Sequence, residues 1–199
     1  ALLSFVLSLS QVFGTLMLQL PAVKYIAQYQ AQGETDKAKG VAMRVLQIGL
    51  LAGLVTSSTL IILAEPLSSL LFGTSNHTLL IRIVALSSFF SILPTISSGI
   101  LQGLQRMREI AILGLSLSII QASIGILLLL AGLGLYAVVY AWLTSGLIAT
   151  VISLLLISRY LGFIGKPYPV RPLLSYSFPL YISSIIAFFV AWTDQLLLV

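Results

Sequence analysis

Few residues in this 199-residue chain can carry charge or move a proton: ten lysines and arginines, five carboxylates, one histidine and no cysteine. The carboxylates Glu34, Asp36, Glu65, Glu109 and Asp194 are scattered and His77 stands apart from them, so no group has metal-ligand spacing, and neither a metal nor another cofactor is expected. Without cysteine there is no thiolate nucleophile and no disulfide. Gly165 and Lys166 lack the rest of a phosphate loop. The chain is therefore not expected to be an enzyme.

What remains is charge and polarity in unusual places. Asp194 lies in the apolar run Leu174 to Val199, roughly 20 Å beyond Pro179 at helical rise, with "LLLV" still to follow. A carboxylate at that depth costs several kcal/mol unless it meets a partner or a cavity, which makes Asp194 a candidate coupling or pairing charge. Ser87, Ser91, Thr95, Ser98 and Gln102 recur at intervals of three and four and so share one helix face. Gly114, Ser118, Gln121 and Gly125 do the same further on. Such faces avoid lipid, either as close helix contacts, which the glycines suggest, or as a cavity wall. Ser91, Thr95, Ser98, Gln102 and Gln121 are the candidates for the wall, and Pro94 breaks a backbone ladder among them.

These positions need helices in a membrane to hold them. Hydrophobic residues make up 59% of the chain and charged residues 8%, with a mean hydropathy of +1.12, and that leaves too little polar surface to cover a soluble domain. About 20 apolar residues cross the hydrocarbon core. Runs of that length fall at Leu2 to Leu20, Val45 to Ala64, Leu79 to Leu104, Ile110 to Ala131, Tyr136 to Ile157 and Leu174 to Val199. The fold class is all-α: a polytopic bundle of six transmembrane helices.

The breaks between runs give an orientation. Lys24, Lys37, Lys39 and Arg44 follow the first run, Arg106 and Arg108 the third, and Arg159, Lys166 and Arg171 the fifth, leaving only Arg82 on the other side. Bases cluster on the cytoplasmic side of membrane proteins, so loops 21–44, 105–109 and 158–173 are expected to be cytoplasmic. The same distribution explains the net charge of +5 without a nucleic-acid partner. The N-terminus lacks the basic n-region of a signal peptide. With no initiator Met and an end inside an apolar run, the chain reads as a piece of something longer.

The first basic stretch, "LPAVKYIAQYQAQGETDKAKGV", is more than a connector. Ile26, Ala27 and Tyr29 extend the helical periodicity past Pro21, Gly33 suits a terminator, and Asp36 is placed to cap the next helix. A helical hairpin projecting into the cytoplasm is expected over 21–44. On the opposite side, Glu65 to Thr78 is half apolar and suits the interface, and Asn76, His77 and Thr78 spell a glycosylation tripeptide short enough to arise by chance. His77 reads as solvated, and Trp142, Trp192 and the tyrosines as interface anchors.

Three segments together resemble the polysaccharide biosynthesis and flippase families of the multidrug/oligosaccharidyl-lipid/polysaccharide exporter superfamily: the hairpin just quoted, "GILQGLQRMREIAILG" at 99–114, and "AGLGLYAVVYAWLTSGLIATVISLLLISRYLG" at 131–162. The resemblance covers nearly the whole chain. It implies helices two to seven of a two-lobed transporter, with residues 1–172 in the first lobe and 173–199 beginning the second. It also implies export or flipping of a lipid-linked oligosaccharide or polysaccharide precursor by alternating access in the cell membrane. Lys24, Arg44, Arg106 and Arg108 would be available to the anionic head group, although the family often carries arginine where this chain has Lys24. Partners would be membrane lipid and the lipid-linked glycan, with any glycosyltransferase or polymerase left open. The alternative is a cation-coupled multidrug or metabolite antiporter of the related multidrug and toxic compound extrusion family. Such an antiporter is expected to hold buried carboxylates in its first lobe, and the first five runs contain none at depth.

Overall fold

The computed structural model describes residues 2–73, 75–161 and 167–197. These form α1 (Leu2–Thr15), α2 (Gln19–Ala31), α3 (Thr35–Ile62), α4 (Ala64–Phe72), a 3-10 turn at Ser75–His77, α5 (Thr78–Gly103), α6 (Met107–Leu130), α7 (Leu135–Leu161) and α8 (Val170–Leu197). No strand occurs among the described residues. Helices α3, α5, α6, α7 and α8 are each long and apolar enough to cross a membrane, and α1 with α2 makes a sixth span bent by 41°. An all-helical, polytopic membrane bundle is thus the observed fold, of five spans, or six if the bent pair crosses as one.

The bend falls earlier than the sequence suggests. The first run does not continue smoothly through Pro21 but breaks at Leu16 and Met17, whose φ values of 47° and 53° are left-handed. Proline explains the position. In a continuous helix the Pro21 ring would strike the carbonyl of Met17, four residues back. The chain leaves the helix there, the Leu20 N–H donates to the Met17 carbonyl at 3.2 Å, and Pro21 becomes the third residue of α2, where an N–H is not needed.

Gly33 turns the hairpin with a φ of 73°, as a terminator should. The next helix begins at Thr35, with Glu34 at the cap position and Asp36 already in the first turn, so Asp36 is not the cap. Helix α3 then runs unbroken for 28 residues, about 42 Å at helical rise, against about 30 Å of hydrocarbon. Its basic end extends beyond the apolar layer. The hairpin, however, does not project freely: Ala22 and Ile26 of α2 and Ala38, Val41, Ala42 and Val45 of α3 are buried in one cluster with Ile96 and Ile100 of α5.

Helix α5 is the centre of the bundle, in contact with α1, α2, α3, α6 and α7. Close approach is what lets α2 reach it. A β-carbon at Gly99 would lie 2.5 Å from the Gln19 carbonyl oxygen and 2.7 Å from its Cα, and one at Gly103 would lie 2.9 Å from Ile26 Cβ. Within the bilayer Pro94 leaves the Phe90 carbonyl without its helical donor. The Thr150 hydroxyl of α7 donates to that oxygen at 2.6 Å. On the other flank the Ser57 hydroxyl of α3 donates to the Ala85 carbonyl at 2.8 Å.

Helix α6 corrects a second expectation. Gly114 has no atom within 4 Å of where its β-carbon would be, and Gly125 meets only Ala141 Cβ at 3.7 Å, so these glycines do not mark close helix contact. His77 is half-buried, its ring packed 4.7 Å from that of Phe72.

The two kinds of glycine are distinguishable by experiment. Gly99→Ala must push against the Gln19 backbone and should destabilise the detergent-solubilised protein by about 1–3 kcal/mol. Gly114→Ala should be neutral or stabilising by up to about 1 kcal/mol. Melting temperatures of the two variants check the pair, and equal losses would contradict the packing described.

Candidate functional site

The basic end of the bundle carries a cluster of tyrosines and cations that the hairpin assembles. Tyr25 and Tyr29 are four residues apart on α2 and therefore share a face. Tyr168 sits between Pro167 and Pro169, and a residue that precedes proline is kept from helical geometry, so the segment is extended immediately before α8. The Tyr29 and Tyr168 hydroxyls are 3.1 Å apart, and the ring of Tyr168 lies 5.9 Å from that of Tyr29 and 6.2 Å from that of Tyr25. From α3, Arg44 donates through Nε to the Tyr168 carbonyl at 3.0 Å and through Nη1 to Gln47 Oε1 at 3.3 Å. Tyr168 is thus held at its ring, its hydroxyl and its backbone.

Lys24 occupies the outer side of the cluster. Its ammonium lies 4.3 Å from the centroid of the Tyr176 ring on α8 and 5.3 Å from that of Tyr25, within cation–π range of both. No carboxylate neutralises it: Lys37 with Glu34, at 2.8 Å, is the only ion pair among the described residues. The side chain is exposed, so its charge is open to an anion arriving from solvent or from the membrane surface. Burial raises the Tyr168 phenol well above the ordinary tyrosine range, and the hydrogen bond with Tyr29 adds to the shift.

The four bases identified from sequence fall into two places. Lys24 and Arg44 join through Tyr25 and Tyr168. Arg106 instead lies 4.3 Å from the Tyr160 ring on α7, whose hydroxyl donates to Glu109 Oε1 at 2.7 Å, and Arg108 is exposed on the same α5–α6 turn. The turn and the hairpin form separate basic sites.

The polar stripes also divide. Ser91 and Gln121 line one cleft of ≈ 290 Å³ among α1, α5, α6 and α7, together with Ser118, Trp142 and Ser145. Ser145 donates to Gln121 Oε1 at 3.4 Å. Thr95 and Ser98 turn their hydroxyls back to the carbonyls of Ser91 and Thr95, at 2.9 and 2.7 Å, and Gln102 is exposed at the end of α5. Ser91 bonds back in the same way, to the Ser87 carbonyl at 2.9 Å, while lining the cleft, so this bonding satisfies the hydroxyls without deciding which of them face a cavity. Trp142 lines the cleft. Asp194 is in the last turns of α8, but its side chain lies outside the described residues, as does Lys166 entirely.

Sequence reasoning missed Tyr168 and Tyr176 as members of the site. The pair Tyr25 and Tyr29 at helical spacing was a visible signal. Their partners lie far along the chain, 139 residues away for Tyr29 and Tyr168, and nothing in local sequence connects them.

A family model described as a polysaccharide biosynthesis protein matches residues 5–199. No curated protein and no solved structure matches the chain.

The phenol of Tyr168 gives a pH test. A folded-state pKa above the unfolded value of about 10 means that its stabilisation is complete below about pH 10 and is lost as pH rises past it. The melting temperature of the wild type should fall more steeply above about pH 10 than that of Tyr168→Phe. Parallel declines would show that the hydroxyl is not held as described.

Proposed function

The chain belongs to the polysaccharide biosynthesis protein family, and from that premise we propose that it moves a lipid-linked oligosaccharide or polysaccharide precursor across the cell membrane, with the hairpin end of the bundle in the cytoplasm. The observation that carries this reading is Lys24, an exposed cation seated on two tyrosine rings without a carboxylate partner among the described residues. A phosphate-bearing head group is the chemistry that an unneutralised ammonium at a membrane surface attracts, and the ring faces beside it offer stacking area to sugar. Arg44 plays a different part. Its guanidinium is committed to the Tyr168 carbonyl and Gln47, so it positions the cluster more than it contacts cargo. Arg106 and Arg108 form a second basic site at the next turn on the same end.

By resemblance, spans α1 to α7 form one lobe of an alternating-access transporter and α8 opens the other. Tyr168 and Tyr176 tie the start of α8 to the hairpin, and on that reading the proposed head-group site would lie where the two lobes meet.

In cells depleted of the full-length protein, lipid-linked glycan should accumulate on the cytoplasmic leaflet. Complementation with Lys24→Ala should lower export about tenfold, the loss expected for one charge-assisted contact, and Lys24→Arg should restore most of it. Unchanged glycan export with a new sensitivity to cationic dyes would replace this reading with the antiporter. Orientation has its own test, because the chain has no native cysteine. Lys37→Cys should resist an impermeant thiol reagent in intact cells and react after permeabilisation; labelling of intact cells would invert the topology.

A further inference from the structure

The α5–α6 turn and the end of α7 bring three arginines together around a single carboxylate. Arg106 lies 4.3 Å from the Tyr160 ring, and the Tyr160 hydroxyl donates to Glu109 Oε1 at 2.7 Å, so the start of α6 is tied to the end of α7. Arg106 and Arg108 are within electrostatic reach of Glu109, and Arg106 and Arg159 of Tyr160. None of the three takes part in an ion pair among the described residues. Glu109 offsets only one of their charges, and the cluster stays cationic.

What lies beneath the charge decides the ligand. Ile112, Leu115 and Ile119 follow Arg108 by four, seven and eleven residues, so they run along one face of α6 below the arginine, and all three are exposed. Helix α7 repeats the pattern, with Leu155 and Val151 exposed four and eight residues before Arg159. No residue of α6 is buried, so neighbouring helices leave its stripe open. The bias of bases toward one side of a membrane accounts for arginines at this end of the bundle, but not for their gathering above two apolar stripes.

Together the cluster and the stripes specify an anionic head joined to apolar tails, at the depth where α6 and α7 leave the hydrocarbon. A soluble phosphate would use the arginines and leave the stripes idle. A zwitterionic lipid would use the stripes while its own ammonium opposed the arginines. We propose that this corner of the bundle binds an acidic phospholipid of the surrounding bilayer, with the phosphate among Arg106, Arg108 and Arg159 and the acyl chains along Ile112, Leu115 and Ile119. Tyr160 and Glu109 are positioning residues: they hold the Arg106 guanidinium, so less side-chain freedom is lost when the phosphate arrives. The proposal rests on the membrane bundle alone and holds whatever the cargo is. It gives the second basic site a ligand of its own, apart from the cation that stands over Tyr25 and Tyr176.

The test uses the full-length protein in phosphatidylcholine nanodiscs doped with phosphatidylglycerol that carries a photoreactive group in one acyl chain. Crosslinks should concentrate on α6 between Ile112 and Ile119, whereas the matching phosphatidylcholine probe should label exposed helix faces without that preference. Arg106→Gln, Arg108→Gln and Arg159→Gln should each weaken capture on α6 about fivefold, the effect of one base near an anionic membrane surface. Arg108→Lys, which keeps the charge, should retain most of the capture, and Arg82→Gln, at the opposite end of α5, should retain all of it. Equal labelling of α6 by the two probes, or a preference that survives the triple substitution, would overturn the proposal. Displacement of the probe by millimolar inorganic phosphate would also overturn it, because the ligand would then be a soluble anion. So would displacement by polyprenyl phosphate at a concentration where unlabelled phosphatidylglycerol fails to compete, which would assign the turn to the cargo.

Discussion

The hydrogen bond from Thr150 to the Phe90 carbonyl is the contact on which the arrangement turns. A proline in the middle of a membrane helix exposes a carbonyl where no water can solvate it, and the oxygen must find a donor on a neighbouring helix. Here the donor comes from α7, where Gly146 also allows close approach: its β-carbon would meet the Phe90 side chain at 3.4 Å. Fixing α7 against α5 leaves the opposite flank of α5 free for α3, whose Ser57 caps the carbonyl of Ala85. The remaining flank takes α2 through Gly99 and Gly103. The central helix is thus gripped by side-chain hydroxyls on two sides and by backbone contact on a third, which suits a membrane setting in which apolar burial alone offers little preference for one partner over lipid.

That grip carries outward to the surface. Because α2 is seated on α5, its Tyr25 and Tyr29 present a fixed face to Tyr168, and Arg44 on the neighbouring α3 reaches the Tyr168 carbonyl. The start of α8 therefore inherits its position from α5 through two intermediaries. Farther along, α8 touches the bundle chiefly through Phe5, Phe188 and Trp192, with ring centroids 5.2 to 6.1 Å apart. Between these two attachments it is more exposed, and a groove of ≈ 840 Å³ lies there between α8 and Leu16. Left-handed geometry at Leu16 and Met17, costing about 1–2 kcal/mol per residue, is what shapes the opposing wall. It persists because Leu18 and Ala22, immediately after it, are buried in the core cluster.

Much of this was legible in the sequence, for identifiable reasons. Apolar run length located every span, since the hydrocarbon thickness leaves little freedom, and α5 begins and ends within one residue of the run read as Leu79 to Leu104. Gly33 announced the hairpin because few other residues adopt its φ. The broken span was harder to see. Pro21 was visible, but its effect falls four residues upstream, on Met17, and the broken stretch is as apolar as its surroundings. Polar stripes were legible as faces but not as bonds: periodicity places serines on one face without saying where their hydroxyls point, and Ser91, Thr95 and Ser98 all bond back to their own helix. Gly114 looked like a packing point, yet whether a glycine meets a neighbour depends on tertiary contact that no local pattern encodes.

The pairing of cations with rings rather than carboxylates bears on what the basic end can do. Lys37 is neutralised by Glu34, and an incoming anion would have to displace that carboxylate to use it. Lys24 is instead held by Tyr176, which orients the charge without cancelling it, whereas Arg106 on the Tyr160 ring also feels the Glu109 carboxylate bonded to that ring's hydroxyl. A ring quadrupole contributes about 0.5–1 kcal/mol at an exposed site, far less than a full opposite charge does at short range, so the cation keeps most of its attraction for a passing phosphate. It also keeps that attraction reversible. A site that both binds and releases an anion must meet two demands, and a cation fixed by an aromatic face meets them in a way that a lysine buried in an ion pair does not.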